Sequence, residues 1–220
     1  MRTLLDTILS KVPGNLSRLA CGELTARAAQ VPDDGLILDL CPGAGRSTVV
    51  LAASLEAEEN GSAKVLAVDT HVTNPLSSTP QEEGTLCAFL HNLRTFRLLH
   101  RVTPIIDSIG VVPQIFNKRS ANLVIVQVPN TTFNTEDTLA QAIEVAQFAV
   151  RKNGKIVVVC PFGISEDSFR RFVESRFTEG FEFKSSAGDC LTFEYVETVP
   201  ALPKPVRKNV ASNSTETEVK

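Results

Sequence analysis

Gly35-Leu36-Ile37-Leu38-Asp39-Leu40-Cys41-Pro42-Gly43-Ala44-Gly45-Arg46-Ser47-Thr48-Val49-Val50-Leu51 decides the fold of this 220-residue chain. Leu36 to Leu40 is a short apolar run of the kind a strand buried on both faces produces. Pro42, Gly43 and Gly45 then let the chain turn sharply and leave bare backbone for a ligand to approach. From Ser47 to Leu55 the apolar residues recur at helical spacing, with Ser47 or Thr48 near the first turn. Strand, glycine turn and helix in that order put free backbone N–H groups at the strand's carboxyl end, the place for a nucleotide-type ligand.

The same residues, an acidic position followed by Gly-x-Gly (Asp39, Gly43, Gly45), resemble the first motif of class I S-adenosylmethionine-dependent methyltransferases. That resemblance implies S-adenosylmethionine as cofactor, with Asp39, Gly43, Ala44, Gly45 and Ser47 at its site. Two other readings compete. The Gly-x-Gly can be a tight turn and nothing more. A nicotinamide site wants a third glycine three residues on, for close helix–strand packing, and this chain has Thr48 there.

Downstream, Lys64 to Val68 reads as a second strand ending on Asp69, an acidic position suited to ribose hydroxyls. Thr70 to Gly84 is a long polar loop beside the ligand, and loops of that length often close over a site or bind substrate. His71, two residues past Asp69, is the histidine placed to act as a base. A helix over Glu82 to Leu99 turns Leu86, Phe89, Leu90, Leu93 and Phe96 inward. Arg101 to Ile106 is a third strand followed by Asp107 and Ser108, onto which the resemblance carries contacts near the adenine. Further alternation follows: a strand over Ala121 to Val128, a helix over Asn134 to Val150 stopped by Asn153-Gly154, a strand over Lys155 to Cys160, and a helix over Ser165 to Phe177 capped by Ser165. Phe181 to Ser185 and Leu191 to Val196 alternate as strands around Gly188-Asp189, a hairpin signal.

Alternating strands and helices closed by a terminal hairpin predict a Rossmann-like, doubly wound α/β sheet. It is mostly parallel, ends in an antiparallel hairpin strand, and carries helices on both faces. Residues 1–34 form N-terminal helices, with apolar stripes over Leu4 to Val12 and Leu16 to Ala29, that pack on the core. They are open to two further roles, a cover over the ligand or a homodimer contact. Residues 35–198 are the methyltransferase-like domain, similar to a subgroup of small O-methyltransferase-like domains. Residues 199–220, with three prolines and a Ser/Thr/Glu/Asn-rich end, predict a disordered tail.

Composition bounds the function classes. With 43% hydrophobic and 21% charged residues the chain can build a large core, and a net charge of −3 supplies no basic field for nucleic acid. Five scattered cysteines, without a C-x-x-C or Cys/His cluster, indicate neither a disulfide framework nor a zinc site and fit a reducing, cytoplasmic compartment. Asp6, Ser10 and Lys11 interrupt any signal-peptide core, and no run approaches the roughly 18 apolar residues of a membrane span. One departure from the resembling family stands out. Where many of its members end the fourth strand on aspartate, with histidine after it, this chain has Val126-Gln127-Val128-Pro129-Asn130, and after the fifth strand Pro161-Phe162. Neutral amides are poor ligands for a hard divalent ion. The expectation is therefore metal-independent methyl transfer to a small-molecule acceptor. The alternative is a catalytically silent relative acting as a binding or regulatory partner.

Overall fold

The computed structural model of the protein describes residues 3–58, 61–71, 86–127, 135–160 and 165–196. The expectations for most of the 70–84 loop, for Asn134, for Pro161-Phe162 and for the tail lie outside these residues. Among the described residues, seven strands form one sheet in the order β3-β2-β1-β4-β5-β7-β6. They are β1 (Leu36–Leu40), β2 (Lys64–Asp69), β3 (Val102–Ile106), β4 (Ala121–Val126), β5 (Val150–Val159), β6 (Phe181–Ala187) and β7 (Cys190–Tyr195). The first five run parallel; β7 inserts antiparallel between β5 and β6. The predicted Rossmann-like sheet with its terminal hairpin is the observed one.

Alternation along the central strands sorts their side chains between two cores. Ile37, Val65, Ala67, Leu123 and Ile125 face α1 (Leu4–Lys11), α2 (Arg18–Ala28), α3 (Arg46–Ala57) and α4 (Leu86–Thr95). Leu38, Leu40, Val68, Val124 and Val126 face α5 (Val112–Ile115), α6 (Thr135–Ala149) and α7 (Glu166–Arg176). Strands covered on both faces must read as continuous apolar runs, and these do. Each fully buried Leu, Ile or Phe contributes about 1.5–3 kcal/mol by leaving water. Both sheet edges are protected against pairing with another chain: β3 carries Pro104, and β6 shows Glu182 and Lys184 to solvent.

The N-terminal helices belong to the first core, where Ile8, Val12, Leu16, Ala20 and Leu24 pack with Val49 and Ala53 of α3. Thr3 and Asp6 form a reciprocal capping box at the start of α1. Ser17 caps α2 through Ala20 N and also donates its hydroxyl to Asp189 in the β6–β7 turn. That contact ties the start of α2 to the end of the sheet.

Two local expectations need correcting. Asn153-Gly154 does not stop α6; the helix passes straight into β5, and this pair sits in a bulge where the β4–β5 register slips between Ala121 and Leu123. Asn153 takes φ +60, and a Cβ on Gly154 would lie 2.8 Å from Arg151 O, so the glycine serves the bulge rather than a helix end. Ser165 stands at the N-cap of α7 in extended conformation but makes no side-chain cap bond.

Candidate functional site

The turn after β1 lies at the carboxyl ends of β1, β2 and β4. Cys41 N donates to Val68 O (2.9 Å) and Gln127 N to Leu40 O (3.2 Å), so the turn begins where the sheet stops. Its backbone alternates through the left-handed region, with Cys41 at φ +58, Gly43 at +56 and Gly45 at +90. Glycine serves two of these positions without a steric cost; Cys41 occupies the third as a side-chain-bearing residue. Its thiol is pushed up to about 12 by burial and by the Asp69 and Asp39 carboxylates, so it stays protonated.

The two glycines face different surroundings. A Cβ built on Gly45 would lie 2.7 Å from the Phe89 ring of α4. Among the described residues, the same atom on Gly43 would meet nothing within 4 Å. Gly45 is therefore glycine for packing, and Gly43 is the point where no described residue covers the turn. Asn92 of α4 donates to Ala44 O (2.8 Å), fixing the middle of the turn from the Phe89 side.

Asp39 and Ser47 come together beneath the turn. Asp39 is fully buried, and its Oδ2 accepts from Thr48 Oγ1 (2.6 Å) and Ser47 Oγ (2.8 Å). Gln127 Nε2 completes the set, donating to Asp39 Oδ1 (3.2 Å) and Ser47 Oγ (2.6 Å). Burial pushes the carboxyl up to about 6, against the pull of these three donors. At pH 7 it is still mainly ionised. The β1–β4 register makes this contact. Asp39 pairs with Ile125 across β1–β4, and Gln127, two residues on, falls on the same face as Ile125 and hence as Asp39.

Asp69 ends β2 on the rim. Its Oδ2 accepts from Gly43 N (2.9 Å) and its Oδ1 from His71 N (2.8 Å), so one carboxylate braces the turn and the first residues of its own loop. His71 has φ +50, and its ring packs on Phe89 with centroids 5.1 Å apart. Both ring nitrogens are buried without a partner among the described residues. Asp107 and Ser108 stand apart from this cluster, exposed at the end of the edge strand β3, where Asp107 Oδ1 accepts from Ser108 N (2.6 Å).

Sequence reasoning missed Arg46, the first residue of α3. Its guanidinium donates to the carbonyls of Val12 (2.8 Å), Leu16 (3.1 Å) and Leu9 (3.4 Å). The cation sits at the carboxyl end of α1, where helix carbonyls and the helix dipole favour positive charge. The residue next to Gly45 thus anchors the N-terminal helices. Among the described residues no group of three His, Cys, Asp or Glu is placed to hold a metal ion, and no helix is long and apolar enough to cross a membrane.

No protein-family model matches this sequence, and no curated protein does. Solved structures do match. An S-adenosylmethionine-dependent O-methyltransferase from Thermotoga maritima superposes with a TM-score of 0.61 at 16% identity, over 89% of this chain and 72% of that one. An rRNA methylase from Streptococcus thermophilus gives 0.57 at 14% identity, over 84% of this chain and 100% of the other. The NSun6 protein of Pyrococcus horikoshii, solved with the S-adenosylmethionine analogue SFG, gives 0.58 at 16% identity, over 90% and 57% of the two chains. The fold is that of class I S-adenosylmethionine-dependent methyltransferases.

Proposed function

We propose that this protein is an S-adenosylmethionine-dependent methyltransferase acting on a small-molecule acceptor without a metal ion. The observation that carries the reading is Gly43, a bare backbone position at the carboxyl edge of the sheet with no described residue over it and the Asp69 carboxylate alongside. A nucleoside ligand fits that chemistry. The backbone accepts close approach, and each Asp69 oxygen, already holding one backbone N–H, keeps a lone pair for a ribose hydroxyl. Asp39 and Ser47 act from below by fixing the turn, and Asp107 with Ser108 offers polar groups at the β3 end for the far side of the nucleoside. The cofactor supplies an activated methyl group; what the chain must add is in-line positioning and exclusion of water.

The likeness to an O-methyltransferase supports a small acceptor. The likeness to an rRNA methylase points toward RNA, and a net charge of −3 argues against it, because phosphate backbones are bound through clustered cations. Five free cysteines suit a reducing, cytoplasmic setting. The test is calorimetric titration of S-adenosylhomocysteine, followed by transfer of tritiated methyl from S-adenosylmethionine to a panel of small molecules and to rRNA. Saturable binding with label in small molecules is expected. Label in rRNA alone would replace the acceptor class, and binding without transfer to anything would favour a silent partner protein.

A further inference from the structure

At the other end of the sheet from the turn after β1, the amino ends of β4 and β5 border a pocket of about 80 Å³. A β-bulge builds it. While β4 advances from Ala121 to Leu123, β5 advances from Val150 to Lys155, so the extra residues of β5 loop out of the ladder. The loop closes tightly. Asn153 takes φ +60, and a Cβ on Gly154 would lie 2.8 Å from Arg151 O and 3.0 Å from Asn122 O. Bulges re-aim side chains, and this one brings Arg151 and Lys155 to one pocket, where Arg27 of α2 joins them.

The lining holds these three cations and no carboxylate. Arg27 is neutralised by Glu23, 2.7 Å away, and donates to Ser185 Oγ (3.1 Å). Glu194, opposite Lys155 on β7, lies against Lys184 (3.5 Å). The charges of Arg151 and Lys155 remain. Lys155 Nζ spends one N–H on Gln30 Oε1 (2.6 Å) and keeps two. None of the described residues accepts from the Arg151 guanidinium. Asn122, also in the lining, uses its Oδ1 on Leu36 N (3.0 Å), which leaves its NH2 as the group it can offer a ligand.

We propose that this pocket binds a phosphate group. Such a group carries about −1.5 to −2 charges at pH 7, which matches the two cations left without a carboxylate. Its tetrahedral oxygens take donors from several directions, as the β5 bulge and Asn122 of β4 present them; a carboxylate offers two oxygens in one plane. The volume is well below the roughly 300–1,000 Å³ of sites that engulf a whole small molecule. The phosphate therefore enters and the remainder of an organic ligand stays outside. The group can come as the free ion or at the end of a small organic phosphate, since both present the same oxygens. The pocket shares no residue with the turn after β1, so the inference stands apart from the methyltransferase reading.

The test is calorimetric titration of the full chain with inorganic phosphate, glycerol 3-phosphate and acetate, at low ionic strength where charges are least screened. Saturable phosphate binding with a Kd of about 1 mM or tighter is expected, with no measurable binding of acetate. Tighter binding of inorganic phosphate would assign the site to the free ion, and tighter binding of glycerol 3-phosphate to an organic phosphate. Arg151→Gln and Lys155→Gln should each weaken binding about tenfold, the worth of one charge-assisted hydrogen bond. Lys118→Gln, which removes an exposed cation outside the pocket, should change it by less than about twofold. In 15N-labelled protein the backbone N–H signals of Asn153, Gly154 and Lys155 should move as phosphate is added. Absence of saturable binding, equal losses in all three variants, acetate bound as tightly as phosphate, or signal changes confined to other residues would each overturn the inference.

Discussion

The two sides of the turn after β1 are built on opposite principles. Beneath it, buried Asp39, Ser47 and Thr48 and half-buried Gln127 bond to one another, and Phe89 fills the room next to Gly45. Above it, a Cβ on Gly43 would meet no described residue within 4 Å, and Asp69 stands on the rim with capacity to spare. The lower side has a fixed number of partners and is already complete. The upper side is shaped to receive something. Residues of the same chemical type, two aspartates and two glycines, therefore take different jobs according to side, and substitutions should separate them.

The largest effect is expected beneath. Asp39→Ala removes the shared acceptor and strands the buried Ser47 and Thr48 hydroxyls, which should lower the free energy of unfolding by about 3–5 kcal/mol. Urea denaturation measures this, and a loss under about 1 kcal/mol would show that the donors re-pair. The same carboxyl should make stability depend on pH. Its folded pKa of about 6 lies above the 3.8 of a free aspartate side chain, so the native state holds the proton more tightly than the unfolded chain. The stability this group adds is complete below about pH 4 and is lost as pH rises through about 6. Over that window wild type should lose about 3 kcal/mol relative to Asp39→Asn, since one pKa unit corresponds to about 1.4 kcal/mol. Parallel pH profiles for the two proteins would place the titration elsewhere.

Much of the fold was legible because it follows from patterns local to the chain. The run Leu36–Leu40, the polar breaks and the hairpin around Gly188-Asp189 gave the sheet its strands and its antiparallel end. The division of labour at the turn was not legible. Asp39 and Gln127 are 88 residues apart, and their contact depends on the β1–β4 register. Gly43 and Gly45 look alike in sequence; only the position of Phe89, on a helix more than 40 residues later, tells them apart. Arg46 had no reading at all, since its three partners are backbone carbonyls that carry no side-chain signal. Asn153-Gly154 had the composition of a helix stop, and the β-bulge that uses it is a tertiary feature.

The glycines give the next contrast. Gly45→Ala must displace the Phe89 ring and adopt φ +90, so a destabilisation of about 2 kcal/mol is expected. Gly43→Ala meets none of the described residues and carries the left-handed backbone cost, about 1 kcal/mol. Thermal denaturation of the pair ranks them, and equal losses would remove the packing explanation for Gly45. The smallest effect should come from chelation. EDTA is expected to leave S-adenosylhomocysteine affinity and methyl transfer unchanged, because neutral amides at the β4 end lack the charge that makes a hard-cation site tight. Activity abolished by the chelator and restored by magnesium would contradict that.

The open side of the turn is tested most directly by titrating S-adenosylhomocysteine into the wild type and into Gly43→Val by calorimetry, with circular dichroism to confirm that both are folded. A Cβ at Gly43 meets none of the described residues within 4 Å, and the φ +56 backbone costs any side chain there, so Gly43→Ala is titrated alongside to carry that backbone cost alone. Saturable binding to the wild type and its loss in a folded Gly43→Val protein is the predicted result. Equal affinity in the two proteins would place the ligand elsewhere and leave Gly43 as nothing more than a turn residue.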